Sequence, residues 1–424
     1  MLRAYIDTVD REWPQPHLPV PESAYEPVFC TWTAIHHDVN QEWILRNARH
    51  AAELGFGTWI TDDGWFTDKA AFADYRYAGD WEPCVSKFPN FVEHVQAVQE
   101  MGLRYILWVA PFMVGHASQA MQRWAHLLTE PITRLNFSNL SPQQAETRQV
   151  IGDLLERLMH DYHLDGLKID FIDSIPLNNK TTTEAAYQTS GEGIYEVLSQ
   201  AIDRVTALKP DCLIEFRNSY TNLASRRYAN QYRASDVPIN FTLNRWQVAL
   251  LRLLAPNRAV LLDPALWHPD DTDENVAVHL INMIISVPMV SVDLDRYPSS
   301  HLDLIRYWIG FYRAHRDIII HGEFVPEFQQ GHLPLIRFIG KEECIIGLYD
   351  NSAFQLGGGP TPFWILNAST RPFVDLLPDS FVGPHTVTTR DKFGRITTQK
   401  TVIFPTSCLL VEIGGSLEIQ RDIN

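Results

Sequence analysis

Residues 165–173 read DGLKIDFID, and they place a carboxylate, Asp170, inside a run that otherwise has the pattern of a buried strand. A parallel strand is covered on both faces, so it is normally almost all apolar. A charged group there is either held by partners or used in chemistry, because burying an unpaired charge is costly. Lys168 precedes Asp170 by two positions, so both side chains point to one side of the strand. The pattern predicts a structural ion pair or the charged floor of a site, and we favour the site.

Short apolar runs of this kind alternate with longer amphipathic stretches through the first part of the chain, which is the rhythm of βα units. Their number and spacing predict a TIM (β/α)8 barrel, a fold of typically ~250 residues with frequent insertions. Residues 40–55 predict a helix that ends at Gly55, and residues 141–162 predict another with Ser141 as its N-cap and Pro142 in its first turn. The eight candidate strands are residues 27–34, 57–64, 103–111, 165–172, 212–218, 232–236, 259–264 and 287–294.

The pattern changes after a helical stretch that ends near His321. Short alternating segments follow, separated by turns rich in Gly, Pro and Asn, which is typical of an antiparallel β-sandwich. We therefore predict a polar, Pro-rich N-terminal arm over residues 1–24, a (β/α)8 catalytic barrel over 25–321, and a small antiparallel β-sandwich over 322–424.

Composition limits the classes of partner. Of 424 residues, 35 are Lys or Arg and 51 are Asp or Glu, which gives a formal charge of −16. That charge argues against nucleic acid or an anionic membrane as a partner and favours a neutral small molecule. No long apolar run suggests a membrane span, and the N-terminus lacks the apolar core of a signal peptide, so we predict a cytoplasmic protein. Five dispersed cysteines without CxxC spacing indicate neither a disulfide framework nor a zinc site. We expect no metal or cofactor, and an oligomer is possible.

Polar and aromatic side chains gather at the ends of the predicted strands. Active sites of such barrels lie at the carboxyl ends of the strands. Carboxylates accept hydrogen bonds from sugar hydroxyls, indole faces pack against pyranose C–H surfaces, and two carboxylates together can cleave a glycosidic bond. The pattern therefore favours a sugar site. The residues concerned are Asp62, Asp63, Trp65, Trp108, Lys168, Asp170, Asp173, Glu215, Arg217, Asp236, Asp263, Asp293 and Asp295.

Several of these carboxylates have a purely structural alternative. A strand-terminal Asp often caps a helix or anchors a loop, and we interpret Asp165 and Asp263 in this way. The segment DDGW could be a tight turn in which Gly64 takes a positive φ. Asp293 and Asp295 could pair with Arg296.

Two adjacent histidines, His36 and His37, raise the question of a metal site. A third ligand at helical or hairpin spacing is missing near them in the sequence. We therefore interpret both as solvated loop residues.

The order of five segments resembles the catalytic domain of glycoside hydrolase family 36. This family comprises α-galactosidases and relatives such as α-N-acetylgalactosaminidases and raffinose-synthase-like galactosyltransferases. The resemblance extends from Phe29 to Phe324 and implies a catalytic barrel followed by a β domain, without a cofactor. The segments are DDGWF (62–66), GDWEPCVSKFPN (79–90), GLRYILWVAPFMV (102–114), LKID (167–170) and ASD (234–236).

The resemblance also implies roles for individual residues. Asp170 matches the nucleophile and Asp236 the general acid/base of a retaining double displacement, whose two carboxyls lie about 5–5.5 Å apart. The remaining matches are substrate-binding: Asp62 and Asp63 for the distal hydroxyls of the sugar, Trp81 as a substrate-facing aromatic, Lys168 beside the nucleophile, and Arg217 as a weaker candidate. We add Trp65 and Trp108 as substrate-binding residues because of their strand-terminal positions.

Three features depart from the family pattern. The family commonly has a large β-sandwich before the barrel, whereas here a short arm precedes the first strand. Phe112 stands where the family has a glutamate, and Arg217 stands where small residues would line the sugar's 2-position. The sequence therefore predicts a retaining, exo-acting α-glycosidase, in the first place an α-galactosidase. The alternatives are an α-N-acetylgalactosaminidase, a raffinose-synthase-like transglycosylase and a non-catalytic sugar-binding barrel.

Overall fold

The structure is a computed structural model that describes residues 2–12, 14–177, 185–237, 239–357, 360–378 and 381–421. The chain divides into two compact units. The first unit comprises Met1–Ser235 and Leu251–Pro264, and the second comprises Asp236–Leu250 and Ala265–Asn424. The domain limits 1–24, 25–321 and 322–424 stay a prediction.

The first unit alternates strands and helices. Its strands are β1 Val28–Cys30, β2 Thr58–Thr61, β3 Arg104–Val109, β4 Met113–Gly115, β5 Phe137–Asn139, β6 Gly166–Ile169, β7 Leu213–Arg217, β8 Gln231–Arg233 and β9 Ala259–Leu261. Its helices are α1 Leu2–Glu12, α2 Trp32–Ile35, α3 Gln41–Leu54, α4 Phe91–Glu100, α5 Ala120–Arg123, α6 Ala145–Asp161 and α7 Ser190–Leu208.

Parallel pairing runs without interruption from β1 to β2, β3, β6, β7, β8 and β9. With β10, Met289–Val290, the sheet has eight strands in the order β10-β1-β2-β3-β6-β7-β8-β9. This is a near-closed barrel of eight parallel strands, and each of the eight predicted runs overlaps one of them, so the predicted fold is confirmed. Strands β4 and β5, which lie between β3 and α6 in the chain and enclose α5, form an antiparallel pair that was not predicted.

Helix ends show which local signals were correct. Asn40 caps α3 by accepting a hydrogen bond from the Trp43 N–H, and Gly55 ends the helix with φ 94°, as predicted. The prediction that Ser141 caps α6 is wrong, because the helix begins at Ala145 with Gln144 at the N-cap position. The carbonyl of Ser141 instead accepts hydrogen bonds in the turn that precedes the helix.

The predicted N-terminal arm contains a helix, α1. Its Ile6 side chain is fully buried, and Asp10 pairs with the guanidinium of Arg226 in the same unit. An apolar contact and an ion pair therefore hold the arm to the first unit.

The second unit is mostly β-structure after its helices. Its helices are α8 Phe241–Leu254, which continues into the first unit, α9 Asp273–Met283, α10 Ser299–Ala314 and α11 Arg316–His321. Its strands after β10 are β11 Glu323–Gln329, β12 His332–Ile339, β13 Cys344–Leu348, β14 Phe363–Asn367, β15 Phe373–Asp375, β16 Gly383–Arg390, β17 Ile396–Phe404, β18 Cys408–Leu410 and β19 Ser416–Arg421.

These strands form one large sheet and one small one. The large sheet, in the order β11-β12-β13-β14-β19-β16-β17, is antiparallel except for the parallel pair β13–β14, and β15 pairs with β18. The core of this region includes Leu335, Ile346, Ile365, Val374 and Leu417.

Within the described ranges, none of the helices is long and apolar enough to cross a membrane. In the same ranges, no group of three or more His, Cys, Asp or Glu side chains is arranged to hold a metal ion.

Candidate active site

Asp170 directly follows β6, and hydrogen-bond donors surround its carboxylate. Oδ1 accepts the backbone N–H of Phe171 at 2.7 Å and the hydroxyl of Tyr220 at 3.2 Å, and the guanidinium of Arg217 lies 3.1 Å from the same oxygen. Oδ2 accepts the indole N–H of Trp108 at 3.0 Å. The side chain is mostly buried but not sealed, with 11% of its surface exposed.

The charges around Asp170 determine its protonation state. Burial alone would raise the pKa of this carboxyl, but the positive charges of Arg217, Lys168 and Arg233, in that order, lower its pKa to about 2. Asp170 is therefore an ionised carboxylate at neutral pH, at the end of the barrel where catalytic groups are usual.

Lys168 pairs with Asp62 rather than with Asp170. Its Nζ donates to Asp62 Oδ2 at 2.5 Å, and both side chains are almost fully buried. Burial opposes the charge of the lysine, but the carboxylate of Asp62 raises the pKa of Lys168 above its usual value. Both oxygens of Asp62 are occupied, since Cys30 Sγ also donates to Oδ2 and the Asp63 N–H donates to Oδ1. The ion pair predicted as an alternative, between Lys168 and Asp170, is thus replaced by one between Lys168 and Asp62, and Lys168 acts on Asp170 through its charge. That Lys168 binds substrate stays a prediction.

Asp63 pairs with His37, contrary to the prediction that His37 is a solvated loop residue. His37 Nε2 lies 3.0 Å from Asp63 Oδ2, and the imidazole is only 11% exposed, so the prediction of a solvated His37 is wrong. Burial raises the pKa of Asp63, and the hydrogen bond to Asp63 raises the pKa of His37 against the effect of burial. Oδ1 of Asp63 is buried and finds no hydrogen-bond partner in the part of the chain that the structure describes.

The DDGW turn has the geometry that the sequence predicted. Gly64 has φ +98°, and a Cβ on it would lie 2.6 Å from the Cα of His37. The carbonyls of Gly64 and His37 both accept hydrogen bonds from the ammonium group of Lys87, at 2.7 and 2.5 Å. These contacts fix the loop that carries His37 against the turn that carries Asp63.

Three predicted aromatic residues form one cluster behind the carboxylates. Trp65, Trp81 and Trp108 are each at most 1% exposed, with ring centroids 5.8–6.3 Å apart for Trp81 with Trp108 and Trp65 with Trp81. The indole N–H of Trp65 donates to the carbonyl of Trp108 at 2.9 Å. Trp108 contacts Asp170 directly. That any of the three binds substrate stays a prediction.

Arg217, at the end of β7, makes a second ion pair besides the one to Asp170. Its guanidinium lies 3.4 Å from Asp173 and within about 6 Å of the ring centroids of Phe171 and Tyr220. The hydroxyl of Tyr220 donates to the carbonyl of Ile169 at 2.6 Å. Tyr220 was not among the predicted site residues; it reaches Asp170 because β7 continues into a short 3-10 turn, Asn218–Tyr220.

A second set of charges lies buried in the barrel. Arg233 Nε lies 3.1 Å from Glu215 Oε1, and its Nη1 pairs with Asp263. The predicted anchoring role of Asp263 thus corresponds to a buried ion pair, whereas Arg233 was not predicted. Burial raises the pKa of Glu215, although Lys168 and Arg233 lower it.

Of three further predicted carboxylates, one lies in the first unit and two lie in the second. Asp165 precedes β6 and accepts hydrogen bonds from the Tyr105 N–H and from Lys209, both at 2.7 Å, so it anchors a loop as predicted. Asp293 pairs with Arg296 at 3.2 Å, also as predicted. Asp236 belongs to the second unit and its side chain is exposed. Its role as acid/base stays a prediction.

The part of the chain that carries Asp170 is similar in sequence to proteins of known families. The Melibiase family model matches residues 22–221, which include β1 to β7. Alpha-galactosidase C of Emericella nidulans is 30% identical over 209 residues, 45% of this chain and 26% of that protein. Alpha-galactosidase AgaA of Geobacillus stearothermophilus is 40% identical over 93 residues, 22% of this chain and 12% of that protein. The matches thus span about a quarter or less of these curated relatives.

Solved structures resemble the whole chain in fold. A variant of the GH36 α-galactosidase AgaA of Geobacillus stearothermophilus, crystallised in complex with raffinose, superimposes with a TM-score of 0.69 at 16% identity, covering 99% of this chain and 59% of that one. The α-galactosidase of Lactobacillus brevis gives a TM-score of 0.67 at 16% identity, covering 100% and 58%. At this identity the likeness shows the fold, and the chain spans less than two thirds of these solved relatives.

Proposed function

We propose, on the premise that the chain belongs to glycoside hydrolase family 36, that it is a retaining, exo-acting α-galactosidase that removes terminal α-linked galactose from oligosaccharides or glycosides. The observation that carries the proposal is the ionised, partly accessible Asp170 at the end of β6, ringed by donors. A relative of the same fold was crystallised with raffinose, and another variant of it with stachyose. Both are α-galactosides, which supports this substrate class.

The proposed reaction is a double displacement. Asp170 attacks the anomeric carbon, the bond to the aglycone oxygen breaks with its electron pair, and the general acid gives that oxygen a proton. In the second step a water oxygen bonds to the anomeric carbon, the same group takes the water's proton, and the ester's electron pair returns to Asp170. Asp236 is our candidate for the acid/base, on the resemblance of ASD (234–236) to the family pattern.

The two adjacent carboxylates, Asp62 and Asp63, have different proposed roles. We infer that Asp63 accepts a hydroxyl of the sugar directly, since its buried Oδ1 has no partner within the described chain. Asp62 already accepts hydrogen bonds from Lys168 and Cys30 on Oδ2 and from the Asp63 N–H on Oδ1, so we assign it mainly to positioning its neighbour. We assign Trp65, Trp81 and Trp108 to the apolar part of the sugar site.

One observation favours a second candidate of the same class. The guanidinium of Arg217 lies beside Asp170, at the position where the family pattern has small residues near the sugar's 2-substituent. If Arg217 selects a sugar that carries an N-acetyl group at its 2-position, the enzyme is an α-N-acetylgalactosaminidase. If a second sugar takes the place of water as the acceptor, the enzyme is a raffinose-synthase-like transglycosylase. A non-catalytic sugar-binding barrel is the remaining alternative.

A panel of p-nitrophenyl α- and β-glycosides tests the proposal, with galactoside, N-acetylgalactosaminide, glucoside and xyloside in parallel. We expect hydrolysis of the α-galactoside that is lost in Asp170→Ala and kept in Asp161→Ala, an exposed aspartate at the end of α6. Proton NMR of the first product should show the α-anomer. Hydrolysis of another α-glycoside would change the sugar named, and hydrolysis that survives Asp170→Ala would remove the nucleophile assignment.

We also propose a cytoplasmic location. The five cysteines are free thiols, three of them buried, which suits a reducing compartment. Detection of the native protein in the soluble fraction of a cell lysate, and its absence from the medium, would support this location.

A further inference from the structure

The two oxygens of Asp170 are not equivalent. Oδ1 faces three polar groups: it accepts the Phe171 N–H, it shares the Tyr220 hydroxyl with the Ile169 carbonyl, and it lies 3.1 Å from the Arg217 guanidinium. Oδ2 accepts only the Trp108 indole N–H among the contacts of the described chain. A carboxylate oxygen has two lone-pair directions, so Oδ2 keeps electron density available for a new bond while Oδ1 does not.

Arg217 holds its position independently of Asp170. Its guanidinium also lies 3.4 Å from Asp173 and against the rings of Phe171 and Tyr220. Planar stacking and a second carboxylate are arrangements that suit an arginine better than a lysine. The cation therefore stays beside Asp170 even when Asp170 carries no charge.

From this geometry we propose that Arg217 is a positioning residue, which fixes Oδ1 so that Oδ2 is the attacking oxygen and which assists the departure of Asp170 from the sugar in the second step. This inference rests on the proposed function. It concerns a residue that departs from the family pattern.

The reason is the change in charge during the two steps. When Oδ2 bonds to the anomeric carbon and the aglycone leaves with the electron pair of its bond, Asp170 becomes a neutral ester and Arg217 loses its counter-charge. When water replaces the ester, the electron pair returns to Asp170 as a negative charge beside Arg217. A fixed positive charge therefore favours the second step more than the first.

Three arginine variants test the inference with p-nitrophenyl α-galactoside, whose leaving group departs with little help from an acid. Arg217→Met removes the positive charge, and Arg217→Lys keeps the charge but not the planar guanidinium group. Arg306→Met is a control on an exposed arginine of α10. For Arg217→Met we expect kcat to fall about 10- to 100-fold with KM falling alongside it, and a burst of p-nitrophenolate because the glycosyl-enzyme accumulates. Arg217→Lys should recover part of kcat, and the control should match the parent protein.

A second measurement does not depend on turnover. Titration of the Asp170 carboxyl by ¹³C NMR, with its resonance assigned from Asp170→Asn, should give a pKa about one unit or more higher in Arg217→Met than in the parent. Circular dichroism checks that Arg217→Met folds. If it does not, Arg217→Gln, which also removes the charge, takes its place and should raise the same pKa.

The outcomes separate the two proposals. A parent protein that hydrolyses the substrate, with no burst and no change of the Asp170 pKa in Arg217→Met, overturns the inference and leaves the proposed function intact. A parent that hydrolyses nothing, with a raised Asp170 pKa in Arg217→Met, removes the proposed function while the effect of Arg217 on Asp170 stands.

Discussion

Two carboxylates flank the same strand, β6, and have different surroundings. Asp165, before the strand, accepts hydrogen bonds from the Tyr105 N–H and from the side chains of Gln99 and Lys209. Asp170, after the strand, keeps a lightly bonded oxygen. Groups that support stability are expected at one end of such a barrel and groups that do chemistry at the other. Asp170, the charged residue within DGLKIDFID, therefore lies at the end of the barrel where catalytic groups are usual.

Substitution of Asp165 should affect stability, whereas substitution of Asp170 should affect activity. We expect Asp165→Ala to lower the free energy of unfolding by about 2–4 kcal/mol, because it leaves a buried N–H and an ammonium group unpaired. Its kcat/KM should stay within about threefold of the parent, since the residue does not touch the site. Asp170→Ala should abolish turnover with little loss of stability. Urea unfolding and hydrolysis assays on both variants check this, and a stable, inactive Asp165→Ala would contradict it.

His37 should make stability depend on pH. Its pKa in the folded protein is raised by the hydrogen bond to Asp63, so its contribution is complete below the unfolded-state value and is lost as pH rises through the folded-state value. We expect His37→Phe to cost about 1–3 kcal/mol of unfolding free energy near pH 6 and clearly less near pH 9.

Urea unfolding at the two pH values measures the effect. His126→Gln, which removes an exposed pair with Glu146, is the matched control and should be nearly neutral at both. An equal cost of His37→Phe at both pH values would mean that the ring contributes packing rather than charge.

At the scale of elements, the close pairing of β6 with β7 depends on a glycine. A Cβ on Gly166 would overlap the carbonyl oxygen of Leu213, the residue opposite it in the parallel register. We expect Gly166→Ala to destabilise the protein by about 2 kcal/mol or more and to lower activity, because β6 carries Asp170.

A second glycine provides the control. Gly310 lies in α10 with open space around its Cα, so Gly310→Ala should be neutral or stabilising by up to about 1 kcal/mol. Thermal unfolding of both variants compares them. A neutral Gly166→Ala would show that β6 and β7 can separate at little cost.

Local signals predicted the ends of one helix and missed the start of another. Asn40 caps α3 by accepting the Trp43 N–H, and Gly55 ends it with a positive φ. Ser141 has the right side chain for a cap, but its carbonyl is committed to the turn before α6, and the helix starts later. Sequence periodicity predicted the strands, whereas this commitment depends on a tertiary turn.

At the scale of the whole molecule, the barrel was predictable and the ion pairs were not. Eight apolar runs predict eight strands because a parallel strand has a simple composition. Which cation meets which carboxylate depends on strand register: Lys168 reaches Asp62 on another strand, and Arg233 separates Glu215 from Asp263. Tyr220 and His37 reach the carboxylates from turns, whose course the sequence pattern does not determine.

The charge of the molecule gives a prediction about substrates. With a formal charge of −16, the protein repels anions at long range and has no such effect on a neutral sugar. We expect KM for a neutral α-galactoside to change less than about twofold between about 20 and 500 mM salt, because screening removes only long-range interactions. A steep salt dependence of KM in steady-state assays would indicate a charged substrate.

The contact between Trp108 and Asp170 makes the protein its own optical probe. The indole N–H donates to the carboxylate oxygen from a buried position, where the charge is poorly screened. Loss of that charge, by protonation or by bonding to a sugar, changes the electric field across the ring. The ultraviolet emission of Trp108 should then differ between the free and the sugar-bound protein, so that stopped-flow fluorescence could follow the chemical state of Asp170 without a label.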